Sequence, residues 1–421
     1  MKLSLVAVVG LLMVSGAPLH AEETTPADLE AFLAPIIAII QAEGNDELSA
    51  EEKALVERVE THRYPHVAAH HLIAHEDPQV QIFAAYAMLS LDPDPLWEPW
   101  FTLRDIAERG ASMKPLGASV AAFLESEDPR ARAAAAATIG FIGYDSAVPE
   151  LKACLTEEHN WCLVFAAAEA LGRLNARSAL PELKRVAKCF WYPPVREASR
   201  NAVSAIEGEA KYDVVEIGGR MELIVAFNKH EHASLRSAHE QDEQSTLPIT
   251  IYTEEPSQLS PDQLKTFTYK FERVGSGAEG EETWWEEELP VCGLQLDEGY
   301  LLGYDGGEWG GGLLYFRFRQ EKDPQVVLPL NIGSIHRMTT GVVAIQQPAM
   351  VPPNSVIYKI EFPIGKPPTA QYLLTLPGVM RSSHLLANGS LFVDCFGGAV
   401  VVSPEGEIAM ATPENVGMPP E

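Results

Sequence analysis

The chain has 421 residues, 46% of them hydrophobic and 21% charged, a globular composition long enough for two or three domains. Asp and Glu number 59 against 31 Lys and Arg, and the resulting net charge of −28 opposes a phosphate backbone, so no nucleic-acid partner is expected. No apolar run reaches the ~18 residues of a membrane-spanning helix, so no membrane span is expected.

The N-terminus has the pattern of an export leader. Lys2 is a short basic region, Leu3 to Val14 is apolar, Ser15-Gly16-Ala17-Pro18 breaks the stretch, and Ala21 suits the position before a cleavage. The expectation is a signal peptide over 1–21 and a mature chain delivered to a periplasm or the exterior. The alternative for this stretch is a first core helix.

His62, His66, His70, His71 and His75 follow within 14 residues. On a helix starting near Pro65, His66/His70 and His71/His75 form two dyads on opposite flanks of the polar face, while Ala68, Ala69, Leu72 and Ile73 form the apolar one. Each dyad has metal-ligand spacing without a fixed third ligand, so the expectation is solvated or domain-facing histidines and no metal site.

From about residue 77 to 207 the sequence repeats. Asp128-Pro-Arg-Ala-Arg, Asn160-Trp-Cys-Leu-Val and Tyr192-Pro-Pro-Val-Arg open alanine-rich helical patterns 32 residues apart, and Ser146-Ala-Val-Pro-Glu-Leu-Lys152 returns as Ser178-Ala-Leu-Pro-Glu-Leu-Lys184. An earlier copy starts at Asp77-Pro-Gln-Val. Gly140 and Gly172 are expected to end the first helix of a hairpin. Pro149 and Pro181 suit the first turn of the second, where a missing N–H costs nothing. One such hairpin cannot bury its own apolar face, so neighbours must stack.

The series Asp-Pro-x-Val-Arg, Ala-Ala-x-Ala-Leu-Gly, Val-Pro-x-Leu resembles the short HEAT-like repeats of the PBS-lyase type. The resemblance implies an α-solenoid that holds protein partners. Catalytic members of that wider group use His-Glu pairs in the repeat helices, whereas the matching positions here read Val164-Phe165-Ala166. The resemblance therefore implies a binding scaffold rather than an enzyme.

Five cysteines, Cys154, Cys162, Cys189, Cys292 and Cys395, include no CxxC. Cys154, Cys162 and Cys189 fall at one rim of the repeat, and one disulfide among them is expected, with Cys162–Cys189 preferred. Trp161, Phe190, Trp191 and Tyr192 gather at the same rim. They either anchor a partner or seal the repeats against the second half. The second helices carry Glu150, Lys152, Glu182, Lys184, Arg185 and Lys188, the more basic strip of an acidic chain.

After residue 210 the pattern turns to strands: Met221–Phe227, Ile249–Tyr252, Thr266–Val274, Tyr300–Tyr304, Leu313–Arg319, Gly341–Gln346, Val356–Phe362, Gln371–Leu376 and Leu391–Cys395. Asn388-Gly389 is a hairpin signal. Leu301-Leu-Gly-Tyr-Asp305, Val342-Val-Ala-Ile-Gln346 and Leu391-Phe-Val-Asp-Cys395 recur at starts 41 and 49 residues apart, a blade-like spacing.

Two segments invite chemistry. Gly275-Ser-Gly-Ala-Glu-Gly280 matches GxGxxG, but glutamates and Trp284-Trp285 follow where a nucleotide loop needs a helix N-terminus, so an acidic loop is expected. Asp305-Gly-Gly-Glu308-Trp309-Gly-Gly-Gly312 places two carboxylates and a Trp among glycines. It reads as a sugar, peptide or Ca²⁺ contact loop, or as a conformationally demanding turn. GxSxG, HExxH, Walker A and EF-hand patterns are absent.

The expected fold is a multi-domain α and β chain. A signal peptide (1–21) precedes a HEAT-like α-solenoid (22–210) and an all-β domain (211–421) that is β-propeller-like or, alternatively, a β-sandwich. The expected function is an exported non-catalytic scaffold that binds another protein, with no cofactor and no catalytic residue. Its candidate binding residues are Lys152, Lys184, Arg185, Lys188, Trp161, Trp191, Asp305, Glu308 and Trp309. The alternatives are an envelope carbohydrate binder or hydrolase using Asp305/Glu308, and a metal-handling protein using the His66–His75 helix.

Overall fold

The computed structural model describes positions 34, 36, 37 and 72, then residues 77–90, 99–209 and 258–416, with gaps at 278–279, 308–309, 319–323, 349–353 and 364–365. Helices occupy the first part: α1 (Pro78–Ser90), α2 (Pro99–Arg109), α3 (Gly117–Ala122), α4 (Pro129–Ile142), α5 (Val148–Cys154), α6 (Trp161–Arg173), α7 (Leu180–Cys189) and α8 (Pro193–Glu207). The starts of α4, α6 and α8 are 32 residues apart, as are those of α5 and α7. The sequence repeat is thus a repeat of helical hairpins.

Each repeat closes its first helix in the same way, though not where the sequence placed the end. α4 runs past Gly140 to Ile142, and Gly143 takes the left-handed conformation, φ 72°. Asn175 (φ 51°) and Gly208 (φ 82°) do so after α6 and α8. In all three, the next amide reaches back five residues: Tyr144 to Ile139 at 3.2 Å, Ala176 to Leu171 at 3.0 Å and Glu209 to Ser204 at 2.9 Å. These are Schellman closures, and they satisfy carbonyls the helix leaves orphaned. Gly140 serves packing instead. A Cβ there would lie 2.7 Å from Ala170 Cα, so glycine lets α4 and α6 touch.

The helix starts are fixed by side chains. Asp128 accepts from the Arg130 amide at 2.9 Å. Asn160 accepts from the Leu163 amide at 3.2 Å, and its own amide donates to Pro129 O one repeat earlier, also at 3.2 Å. Pro149 and Pro181 occupy the first turns of α5 and α7, as their chemistry allows. α6 is buried along almost its whole length, with Glu169 and Arg173 half-exposed.

A four-residue helix, α9 (Pro261–Leu264), leads into the β part, which holds four antiparallel sheets. β1 (Tyr269–Gly277) and β2 (Gly280–Glu288) form a hairpin. Three four-stranded sheets follow, each an up-and-down meander in sequence order. The first is β3 (Cys292–Gln295), β4 (Gly299–Tyr304), β5 (Gly312–Arg317) and β6 (Gln325–Leu328). The second is β7 (Ile332–Met338), β8 (Gly341–Gln346), β9 (Val356–Glu361) and β10 (Thr369–Thr375). The third is β11 (Met380–Leu385), β12 (Leu391–Cys395), β13 (Val400–Val402) and β14 (Ile408–Met410). Met221–Phe227 and Ile249–Tyr252 lie outside the described residues.

Period-two alternation explains how the sheets stack. On β4 and β5, Leu301, Leu313 and Tyr315 face the second sheet, while Leu302, Tyr304, Leu314 and Phe316 face away. On β8, Val342 and Ala344 face the first sheet, and Val343 and Ile345 the third. The central sheet is buried on both faces. Each end face is covered locally: the first sheet by Leu259, Phe267, Tyr269 and Phe271, the third by Val416 and Ala411. The sheets are blade-like, but the described residues form neither a closed barrel nor a closed propeller.

Candidate functional site

The aromatic rim falls on the seam between solenoid and sheets. Trp161 is fully buried, and its indole N–H donates to Leu376 O at 3.1 Å. Tyr192 is buried too, with its ring edge-on to Trp161 at 4.7 Å between centroids. Trp191 is half-buried, donates to Glu158 O at 2.9 Å and packs against both the helical core and the third-sheet core. Two further bonds cross the seam at His159 O, which accepts from the Thr375 amide at 2.9 Å and the Tyr372 hydroxyl at 3.1 Å. Burial pushes the Tyr372 hydroxyl up, and that of Tyr358 to about 12 despite the nearby Arg130. Trp161 is therefore a sealing residue with no surface to offer.

The cysteines are five free thiols, which corrects the expected bridge. Cys162 is buried at the seam, where its sulfur accepts from the Asn354 amide at 3.6 Å, whereas Cys189 is exposed at the end of α7. Burial raises Cys154 to about 11 and Cys292 to about 12, which keeps both protonated near neutrality.

Two lysines of the second helices are neutralised by glutamates of neighbouring helices. Lys152 on α5 pairs with Glu182 on α7 at 3.2 Å, and Lys184 on α7 pairs with Glu207 on α8 at 2.6 Å. These pairs form a ladder from repeat to repeat. Glu182, in the first turn of α7, is held below the usual carboxylate range, first by its hydrogen bond to its own backbone amide and then by Lys152. Arg185 donates to Leu155 O at 2.9 Å, where α5 ends and leaves free carbonyls. Lys188 is exposed, and Arg200 of α8 reaches over α7 to within 3.5 Å of Ala187 O. Among the described residues, Arg185, Lys188 and Arg200 make no ion pair, although Arg185 lies close enough to Glu182 to help hold its carboxyl down, so the positive charge here is only partly compensated.

The Gly-rich loop between β4 and β5 is tied down from within. Asp305 is exposed and accepts from the Gly307 amide at 3.0 Å, while Asn331 donates to Gly307 O at 2.7 Å. Gly307 and Gly310 have φ of 61° and 79°, so the turn does demand glycine. Glu308 and Trp309 lie outside the described residues, as do His66, His70, His71 and His75. The loop is far along the chain from α7, and nothing described brings the two together. The GxGxxG stretch ends β1 and begins β2, with no helix after it.

One polar cluster was missed from sequence. Ser334 Oγ, Ser383 Oγ and His336 Nε2 lie 2.6–2.8 Å from one another between β7 and β11. The Gln258 amide faces His336 Nδ1 at 3.5 Å and donates to Ile335 O at 3.2 Å. That donor favours the tautomer protonated at Nε2, which donates a hydrogen bond to a serine oxygen. The cluster ties two sheets together. The Ser-x-His pattern on β7 was its only sequence signal.

A family profile described as HEAT repeats matches residues 118–204, the stretch holding α4 to α7 and most of α8. The N-terminal region thus contains HEAT repeats over 118–204, and such repeats suggest a protein-interaction scaffold with protein partners. No curated protein matches the chain. No described helix is long and apolar enough to cross a membrane.

Proposed function

We propose that this is an exported scaffold whose second-helix face, centred on α7, holds an acidic segment of a partner protein. The observation that carries the reading is the exposed charge of Arg185, Lys188 and Arg200, which make no ion pair among the described residues, on a chain of net charge −28. Positive charge confined to one face of a repeat array gives a partner a place to bind, and close opposite charges set register and on-rate. None of the described hydrogen bonds across the seam is made by a residue of α7, which supports the choice of face. Export rests on the Lys2 to Ala21 pattern alone.

Arg185 and Lys188 are the residues to reverse, because Lys184 is tied to Glu207. Arg185→Glu with Lys188→Glu is expected to weaken capture of the partner from envelope extract about tenfold or more, with the melting temperature nearly unchanged. Recovery of the same partners at the same yield sinks the proposed face. For export, mass spectrometry of protein from its native cell is expected to give a chain starting at Glu22. A retained Met1 in a cytosolic fraction contradicts it.

A further inference from the structure

The turn between β11 and β12 carries the chain's one Asn-Gly step, Asn388-Gly389. The two strands pair as far as Leu385↔Leu391, and the Leu386 amide donates to Ser390 O at 2.8 Å. The Gly389 amide closes the turn on Leu386 O at 2.9 Å, with Gly389 at φ 82°. Asn388 is exposed at the tip, and its Oδ1 accepts from the Ser390 amide at 3.0 Å. That bond folds the side-chain carbonyl back over the backbone that follows it.

An asparagine held this way can react with its own backbone. The nitrogen of the next residue becomes a nucleophile when it loses its proton, and its attack on the side-chain carbonyl closes a small imide ring. A side chain on that next residue would crowd the nitrogen, and glycine has none. The Ser390 N–H polarises the Asn388 carbonyl and is placed to hold the oxygen as it gains charge. The bond from Gly389 to Leu386 O works the other way. It must open before the nitrogen attacks, so the folded turn slows the reaction.

The other described asparagines are held back. Asn354 precedes Ser355, but it is 6% exposed, its amide donates to Cys162 Sγ at 3.6 Å, and the Ser355 nitrogen donates to Gly378 O at 3.0 Å. Asn160 and Asn331 are buried. Asn175 is exposed, yet the next residue, Ala176, carries a Cβ and commits its nitrogen to Leu171 O at 3.0 Å. Asn201 sits within α8, and Asn415 precedes the branched Val416. We infer that Asn388 is a deamidation site of the native chain, converted through a cyclic imide to aspartate and isoaspartate. The Gly389 nitrogen forms a bond to Asn388 Cγ, the Cγ–Nδ2 bond breaks, and ammonia leaves with the proton that Gly389 gives up. Water then opens the imide at either carbonyl. No oxidant and no second protein takes part, and nothing in this inference rests on the reading of α7.

The product changes more than charge. A Cβ on Gly389 would lie 3.4 Å from Thr339 Cγ2 and 3.8 Å from Pro404 Cγ, so the tip rests between the β7–β8 turn and the turn after β13. The Thr340 hydroxyl donates to Pro404 O, which joins those two turns. Isoaspartate adds a backbone atom to this short turn and a carboxylate to its tip. The register at Leu385↔Leu391 and the contact of the second sheet with the third are both disturbed by it.

The test follows the full, folded chain at pH 7 and pH 8 over several weeks by peptide mapping, with electron-transfer fragmentation to separate aspartate from isoaspartate. Asn388 is expected to convert first among the described asparagines, about tenfold faster at pH 8 than at pH 7, because the attacking nitrogen must lose a proton. In the chain unfolded by urea, Asn388 should react faster still and Asn354 should begin to react. Asn388→Gln, whose ring would be larger, should abolish conversion at this position and keep its melting temperature through the same incubation, whereas the converted parent chain melts lower. An Asn388 amide still intact in the folded chain after the unfolded chain has converted overturns the proposal, since the turn would then protect it. Conversion of Asn354 or Asn175 before Asn388 in the folded chain, or a rate indifferent to pH, overturns it as well. An unchanged melting temperature in the converted chain overturns the disturbance of the sheets.

Discussion

Gly140 and Gly143, three residues apart, do different work. Gly143 supplies a left-handed φ, whereas Gly140 removes a Cβ that would press into Ala170. Gly140→Ala is therefore expected to cost about 1–3 kcal/mol through overpacking, read as a lowered melting temperature. An unchanged melting temperature would show that α4 and α6 separate freely. The thiols offer a second residue-scale check. Cys154, Cys162 and Cys395 are buried, and Cys154, Cys292 and Cys395 are all held protonated by burial. Iodoacetamide at pH 8 should thus modify Cys189 first in the native chain, and the other four only on unfolding. Rapid labelling of several thiols, or of none, contradicts the placement of these side chains.

At the scale of elements, the ladder Lys152–Glu182 and Lys184–Glu207 links successive repeats. Exposed pairs of this kind contribute little each, roughly 0–1 kcal/mol. Glu182 gives the ladder a pH signature. Its folded-state pKa lies below the ordinary 4.5, so its contribution is fully present above that value and is lost as pH falls through the folded-state pKa. Glu182→Gln should therefore show a shallower loss of melting temperature below pH ~4.5 than the parent chain. Identical acid profiles would remove Glu182 from the account. The 32-residue frame was legible because Asp128 and Asn160 cap helix starts and Pro193-Pro194 mark the first turn of α8. The helix ends were not, because Gly140 and Gly172 mimic caps while Asn175 performs one. In the β part, Leu301, Val342 and Leu391 proved to lie on the second strand of each sheet, β4, β8 and β12. Those strands are largely buried and read as apolar runs. β7 and β11 contain Ser334, His336, Ser382, Ser383 and His384, so their polarity hid them. β2 was hidden by its five glutamates, whose strand conformation depends on pairing with β1 rather than on local propensity.

At the scale of the whole molecule, Trp161, Tyr192, His159 and Cys162 make the solenoid rim part of the β-domain packing. Trp161→Ala removes a fully buried side chain and the bond to Leu376 O, and is expected to cost about 3–5 kcal/mol. Helix signal at 222 nm and near-ultraviolet aromatic signal should fall together in that variant. A loss confined to the helical signal would mean that the halves are uncoupled. None of the described seam contacts is made by α7, the helix proposed above to hold a partner. The most direct test puts a photo-cross-linking residue in place of Lys188, and separately in place of Ser178, which is exposed in the turn just before α7, at its far end. An adduct with an acidic protein at position 188, weaker at 178 and lost with Arg185→Glu, is the predicted result. The same adducts from both positions, or an adduct at 188 that survives Arg185→Glu, would contradict the account.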